Sequence, residues 1–182
     1  MIISLRGTSG SGKTHLVREI MRGYGEQVVT ISYPPEEGAK RRPLGYLCGD
    51  VGGKRLFVPG HYEIANGGID TLPTLDYVYR LIREHHALGC HVLYEGKNMS
   101  DGWGRVVAMH AEGLPVRVAL LSTPLSECVA SVRRRGHAIA ETSIRKTHEK
   151  CRRDYEHMKA RGVRCFALSR EQALREVRGW LT

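Results

Sequence analysis

Short apolar runs alternate along the chain with stretches in which apolar residues recur every three or four positions. A short run between turn residues predicts a buried strand, and the longer spacing predicts an amphipathic helix. The predicted strands are 2–5, 27–32, 90–94, 116–122 and 163–168. The predicted helices are 13–22, 73–88, 103–112, 124–135, 143–161 and 171–181. This alternation favours an α/β fold with a five-stranded parallel sheet between two layers of helices.

Residues 36–72 depart from the alternation, because glycines and charged residues are frequent there. Gly52-Gly53 separates two strand-like runs, 45–50 and 54–58, which predicts a β-hairpin. The loop that follows, 59–70, is too long for a plain strand connection, and such loops are usually functional or disordered. We therefore expect one domain, 1–182, with an insertion at about 36–72.

Between the first predicted strand and helix, the sequence GTSGSGKT fits the phosphate-binding pattern G-x-x-x-x-G-K-[ST]. Glycines let backbone N–H groups close around a phosphate, and the helix N-terminus adds partial positive charge. Lys13 is expected to reach the β- and γ-phosphates, and the Thr14 hydroxyl to ligate Mg²⁺. The predicted nucleotide-binding residues are Gly7, Thr8, Ser9, Gly10, Ser11, Gly12, Lys13 and Thr14.

The third long strand ends in a carboxylate, Glu95, which Gly96 follows. In P-loop folds this position faces the phosphates, where an acid contacts Mg²⁺ or its water or acts as a base. Glu95 is therefore a candidate catalytic residue and metal ligand, although an ordinary surface acid fits the same pattern. Lys97 and Asn98 follow and are weaker candidates for the same pocket.

A second acidic candidate lies in the insertion. Asp70 follows Gly67-Gly68, a pair that permits close approach of the backbone to a ligand. A kinase that phosphorylates a hydroxyl benefits from a carboxylate that accepts or orients its proton. Asp70 also precedes a predicted helix, where an aspartate commonly caps the helix or forms a turn. The sequence does not decide between Asp70 and Glu95 as the base.

The helix after the fourth strand ends in three consecutive arginines, Arg133, Arg134 and Arg135. Phosphoryl transfer spreads negative charge over the equatorial oxygens, and arginines placed there stabilise the transition state. We interpret 133–145 as a lid that closes over a triphosphate, with Arg133 and Arg135 as catalytic candidates. A solvated basic helix surface is the alternative, and it is the better interpretation for the basic residues beyond the lid.

Composition narrows the class of protein. The 182 residues carry 28 basic and 19 acidic side chains, a formal net charge of +9. Of this, residues 117–182 hold 15 basic and 7 acidic residues, so nearly all of the excess lies in the last third. Such a bias favours a polyanionic ligand, either nucleotide phosphates or nucleic acid. The five scattered cysteines favour neither a disulfide framework nor a zinc site, and indicate a reducing compartment.

Neither a membrane span nor a signal peptide is expected. No apolar run approaches the roughly 18 residues that a span requires, and the N-terminal run turns to glycine and serine after five residues. The hydrophobic fraction of 41% is also too high for a disordered chain.

Together, these segments resemble a family of small phage-encoded P-loop kinases that includes the 5-hydroxymethyluracil DNA kinases. The resemblance lies in GTSGSGKT, in the stretch 59–71 with VPGHY and NGGIDT, in HVLYEG, and in LSECVASVRRRG at 125–136. It implies ATP and Mg²⁺ as cofactors, and a hydroxymethyl group on a DNA pyrimidine as acceptor, phosphorylated as a step of base hypermodification. It further implies location in the host cytoplasm, and roles for Lys13, Thr14, Asp70, Glu95 and Arg133–Arg135. No protein partner is inferred.

Two other functions stay open at this point. A small-molecule kinase acting on a nucleoside monophosphate or a related metabolite fits the same motifs, although it explains the basic excess less well. A P-loop protein that binds nucleotide without catalysis is the other, and Glu95 with the arginines speaks against it. Three tyrosines near the insertion, Tyr33, Tyr46 and Tyr62, are candidates for stacking on a base or for ordinary packing.

Overall fold

The computed structural model describes residues 1–24, 28–32, 43–51, 54–64, 67–96, 102–136 and 139–182. The strands are Ile2–Arg6 (β1), Val28–Ser32 (β2), Pro43–Val51 (β3), Lys54–Pro59 (β4), His91–Glu95 (β5), Val116–Leu121 (β6) and Arg164–Leu168 (β7). The helices are Lys13–Arg22 (α1), Leu75–Ala87 (α2), Gly104–Ala111 (α3), Leu125–Arg134 (α4), Glu141–Ala160 (α5) and Arg170–Leu181 (α6). A 3₁₀ turn, Ile69–Thr71, precedes α2.

All of these strands belong to one sheet with the order β2-β3-β4-β5-β1-β6-β7. The five strands from β4 to β7 in that order are parallel, whereas β2 and β3 are antiparallel and extend one edge. The predicted α/β architecture, with five parallel strands and a hairpin, is therefore confirmed. In parallel strands the carboxyl ends meet at one edge of the sheet, which is where ligands bind in such folds.

One member of the parallel sheet differs from the prediction. The run at 27–32 was predicted as a parallel strand. Its described part, Val28–Ser32, forms the antiparallel edge strand β2, so the predicted parallel pairing was wrong. Its place is taken by β4, the second arm of the predicted hairpin, which pairs in parallel with β5. The burial of the two segments explains the exchange. Residues 56–59 of β4 are buried, as in a strand covered on both faces, whereas β2 is largely exposed.

Two apolar layers hold the helices against the sheet. Because side chains alternate along a strand, Ile2 of β1 joins one layer while Ile3 and Leu5 join the other. The first layer packs against α2, α3 and α5, and the second packs against α1 and α6. No helix in the described part of the chain is both long and apolar enough to span a bilayer.

Two helix starts are fixed by side-chain caps. Thr74 accepts a hydrogen bond from the Tyr77 N–H at 3.1 Å, so α2 begins at Leu75, two residues after the predicted start at Pro73. Ser169 and Gln172 form a reciprocal capping box at the start of α6. The second cap fixes Arg170 at the carboxyl edge of the sheet, directly after β7.

Candidate active site

The phosphate-binding loop connects β1 to α1 in the conformation that the motif predicts. Gly10 and Gly12 have φ values of +87° and +98°, which favour glycine. A Cβ atom on Gly10 would lie 3.1 Å from Cα of Cys128, and one on Gly12 would lie 2.8 Å from Nε of Arg170. The loop is therefore packed between α4 and the first residue of α6, with no room for larger side chains.

Lys13 is buried beneath this loop, with only 7% of its surface exposed. Its Nζ donates hydrogen bonds to the carbonyl oxygens of Gly7 at 2.7 Å and Thr8 at 3.3 Å. Burial lowers the pKa of Lys13, and the nearby Glu95 carboxylate opposes that shift. The ammonium thus lies at the floor of the site, against the loop that the sequence predicts to bind phosphate.

Glu95, at the carboxyl end of β5, is joined directly to α1. The Thr14 hydroxyl donates to both carboxylate oxygens, at 3.1 Å and 3.0 Å. Burial raises the pKa of Glu95, while the charge of Lys13 and the hydrogen bond from Thr14 oppose the rise. A hydroxyl and a carboxylate are the hard oxygen donors that Mg²⁺ prefers, so this pair fits a Mg²⁺ site completed by nucleotide oxygens.

The glycine pair at 67–68 packs against protein atoms. Gly68, with φ +98° and ψ −162°, lies so close to Glu95 that a Cβ atom would be 2.9 Å from the carboxyl carbon. Its N–H donates to the His61 carbonyl at 2.6 Å, and its carbonyl accepts from the Thr71 hydroxyl at 2.7 Å. The close backbone approach expected from the sequence is thus made to the carboxylate and to the loop itself.

Asp70 lies on the 3₁₀ turn that follows this glycine pair. It is exposed, and it lines the same pocket as Lys13 and Glu95. The cap of α2 is Thr74, so the alternative assignment of Asp70 as that cap is wrong. Asp70 therefore contributes a carboxylate to the pocket wall.

Residues of the predicted lid also line the pocket. Arg134 and Arg135 at the end of α4 line the pocket, together with Ile139 before α5. Arg133 is 72% exposed and forms an ion pair with Glu141 at 3.0 Å, so its side chain is directed along the lid and not among the pocket-lining groups. The lid geometry favours Arg134 and Arg135 as the arginines that meet a bound triphosphate.

A single pocket of about 650 Å³ joins these groups. It brings together the phosphate-binding loop, both candidate acids and two lid arginines, which the sequence had placed in four separate segments. The lining includes Ser9, Gly10, Gly12, Lys13, Thr14, His15, Arg18, Gly67, Ile69, Asp70, Glu95, Gly96, Ser131, Val132, Arg134, Arg135, Ile139 and Arg170. The basic groups of the lining suit a polyphosphate, and the Thr14–Glu95 pair would suit its Mg²⁺.

Sequence reasoning missed two pocket arginines. Arg170 lies across Gly12, and its only sequence signal is a basic residue two positions after a predicted strand. Arg18, on the face of α1 that carries Thr14, donates to the carbonyls of Tyr62 at 2.8 Å and of residue 64 at 2.6 Å. It ties the loop that carries Asp70 to the phosphate-binding helix, and a helical spacing of four from Thr14 was its available signal.

The phosphate-binding loop also contacts α5. The Thr8 hydroxyl lies 3.1 Å from Nδ1 of His148, and Thr8 is almost completely buried. The second position of the phosphate-binding loop is therefore held by the long basic helix of the lid region.

Two of the three tyrosines proposed for base stacking, Tyr46 and Tyr62, are not among the residues that line the pocket. Tyr46 and Tyr62 are each 3% exposed and pack edge-on with ring centroids 6.2 Å apart. Tyr62 lies beside Glu95, and burial raises its pKa well above the ordinary value. Both tyrosines therefore belong to the packing. Tyr33, Lys97 and Asn98 lie outside the described residues.

Comparison with known proteins gives one strong likeness. No protein-family profile matches the chain. It is 42% identical over 134 residues to the curated "5-hmdU DNA kinase" of Pseudomonas phage PaMx11, covering 74% of this chain and 68% of that protein. Two solved structures of deoxyadenosine kinase from M. mycoides, one with dCMP and a flexible dCDP and one with dATP, match at 12% identity and TM-score 0.46. The two matches cover 100% of this chain, and 96% and 97% of the respective kinase chains.

Proposed function

The chain belongs to the family of 5-hmdU DNA kinases, and from that premise we propose that it phosphorylates a modified base in DNA. The γ-phosphoryl group of ATP is transferred to the hydroxymethyl oxygen of 5-hydroxymethyluracil, a step that prepares the base for hypermodification. The observation that carries this proposal is the 42% identity to the phage kinase. The reaction takes place in the cytoplasm of the bacterial host, where ATP and the phage DNA are both present.

In this proposal the phosphate-binding loop and Lys13 hold the nucleotide. Backbone N–H groups of the loop surround the β-phosphate, aided by the N-terminus of α1. The Lys13 ammonium, which now binds two loop carbonyls, turns to the phosphate oxygens when a nucleotide enters. A buried lysine gains most from this exchange, since an anion compensates its charge where water is excluded.

Thr14 and Glu95 are the residues that hold Mg²⁺ in this proposal. When bound, the ion neutralises charge on the β- and γ-phosphate oxygens and orients them. The Thr14 hydroxyl and the Glu95 carboxylate, which are hydrogen-bonded to each other, would supply the oxygen groups that hold the ion. Placed next to a cation, Glu95 stays ionised despite its burial.

Asp70 is the base in this proposal. Glu95 is committed to Thr14 and buried, whereas Asp70 is exposed on the acceptor wall of the same pocket. The hydroxymethyl oxygen attacks the γ-phosphorus and forms a P–O bond while the bond to the β-phosphate oxygen breaks. The hydroxyl proton passes to the Asp70 carboxylate, and ADP leaves. Arg134 and Arg135 stabilise the charge on the equatorial oxygens from the lid wall.

The test is phosphate transfer from γ-labelled ATP with Mg²⁺. The acceptors are DNA containing 5-hydroxymethyluracil, the same DNA with thymine, and free nucleoside monophosphates. Label in the modified DNA alone supports the proposal, and label in monophosphates alone rejects it in favour of a small-molecule kinase. ATP binding without transfer to any acceptor indicates a non-catalytic protein. Lys13→Ala is the inactive control, expected to lower kcat by orders of magnitude while the fold survives.

Two variants then separate the carboxylates. Asp70→Asn removes the base and is expected to lower kcat by about 10²–10⁴-fold at unchanged Mg²⁺ requirement. Glu95→Gln is expected to raise the Mg²⁺ concentration needed for half-maximal rate. A fully active Asp70→Asn enzyme would move the base to Glu95 or remove the need for one.

A further inference from the structure

The groups that carry the proposed chemistry lie at the floor of a concave site. Lys13 and Glu95 are only 7% and 6% exposed. The lining of the pocket above them includes the turn at Gly67–Asp70 and the lid residues Arg134, Arg135 and Ile139. A hydroxyl that is to be phosphorylated must approach the γ-phosphorus to about 3–3.5 Å, so it must enter this pocket.

The acceptor group in a duplex also lies in a concave surface. The C5 substituent of a pyrimidine projects into the major groove, which is about 12 Å wide and 8.5 Å deep. Two concave surfaces cannot bring their floors together. A lid helix is narrow enough to enter the groove, but it would then stand between the groove floor and Lys13. A base that stays stacked therefore cannot present its hydroxyl to the γ-phosphate.

We infer that the modified nucleotide leaves the helical stack and enters the pocket alone, so that the substrate is an extrahelical or single-stranded nucleotide. This inference rests on the proposed function. The pocket volume of about 650 Å³ suits a polyphosphate and one heterocycle, and lies within the usual range for small ligands. Enzymes that react on a base commonly extrude it in this way, at the cost of its pairing and stacking.

The part of the pocket around Asp70 supplies groups that can recognise a single base. Asp70, Arg18 and the backbone at Gly67 line it, and Arg18 is held by two carbonyls of the same loop. A carboxylate, a guanidinium and a backbone amide offer both acceptors and donors to the polar edge of a pyrimidine. To react, a base inserted here must place its C5 substituent toward the γ-phosphate.

The test compares acceptors of one sequence that differ only in pairing. They are a single strand, a duplex with the modified base opposite adenine, and a duplex with it opposite a mismatched base. At fixed salt we expect kcat/KM for the single strand and the mismatch to exceed that for the matched duplex about tenfold or more, because pairing opposes extrusion. Binding of each DNA, measured separately at the same salt, corrects for differences in phosphate contacts. Equal rates on all three, or the fastest rate on the matched duplex, would overturn the inference.

A fluorescence experiment gives the second readout. A fluorescent adenine analogue is placed opposite the modified base, and the enzyme is added with a non-hydrolysable ATP analogue. An increase in fluorescence shows loss of pairing and supports extrusion. No increase, on a duplex that the enzyme phosphorylates with ATP, overturns it. If no form of the DNA is phosphorylated while free monophosphates are, the proposed function itself fails, and this outcome is distinct from both others.

Discussion

Replacing Gly68 by alanine would place a methyl group against the carboxyl group of Glu95. The methyl carbon would lie 2.9 Å from the carboxyl carbon, whereas an ordinary carbon–carbon contact is about 3.5–4.0 Å. Glu95 must therefore retreat by about 0.6–1.1 Å, the difference between these distances. Such a shift disrupts the two hydrogen bonds from Thr14, at 3.1 Å and 3.0 Å.

The substitution acts on stability and on rate. The Gly68 backbone, at φ +98° and ψ −162°, lies in a region that costs a non-glycine residue about 1–3 kcal/mol. Loss of a hydrogen bond to a charged group adds about 1.5–3 kcal/mol. A misplacement of about 1 Å in a catalytic site lowers the rate about a hundredfold. We therefore expect Gly68→Ala to lose both free energy of unfolding and most of its kcat, with a raised Mg²⁺ requirement.

Gly89→Ala is the matched control. Gly89 also has a positive φ, +86°, but no atom lies within 4 Å of the added methyl group. It should lose about 1–2 kcal/mol of unfolding free energy for the backbone alone and keep its kcat. Urea unfolding, compared at constant m-value, measures the loss of unfolding free energy, and the labelled-ATP assay measures kcat. If the two variants lose equal stability and keep equal kcat, Gly68 does not position Glu95 and the reasoning is refuted.

Three further predictions follow from the pocket and the sheet. Arg18→Ala should lower kcat/KM for DNA about tenfold at unchanged KM for ATP, because it releases the loop that carries Asp70. The control Arg22→Ala, one helical turn further along α1, should behave as wild type. Arg135→Ala should reduce kcat strongly and Arg133→Ala only slightly, because Arg133 is outside the pocket lining. Burial and neighbouring positive charge lower the pKa of His91 to about 4, so its neutral form is favoured in the fold. Stability should therefore fall as pH drops from about 6.5 toward 4, and His91→Gln should flatten that dependence in pH-resolved unfolding.

The local parts of the site were predictable from sequence because one short segment builds each of them. The glycine pattern of the phosphate-binding loop and the apolar spacing after it place α1 with its observed bounds. The strand-end position of Glu95 placed it at the carboxyl edge of the sheet, where the structure joins it to Thr14.

The remaining contacts depend on pairing between distant segments. Nothing near β4 indicates that it, and not β2, lies beside β5, since strand pairing is decided by side chains on the neighbouring elements. The glycine pair before Asp70 signalled a close approach, but its partner, Glu95, lies in another segment. Arg170 covers Gly12 only because α6 packs beside α1.

The contact between Arg170 and Gly12 also bears on when the enzyme becomes competent during its synthesis. The ribosome makes the phosphate-binding loop well before the residue that covers it, because Arg170 starts α6, far downstream of Gly12 in the chain. Domains emerge from their N-terminal side at about 5–20 residues per second, so the nascent chain carries the loop long before its cover. A nascent or prematurely terminated chain without α6 therefore has the motif for ATP but an unfinished binding site.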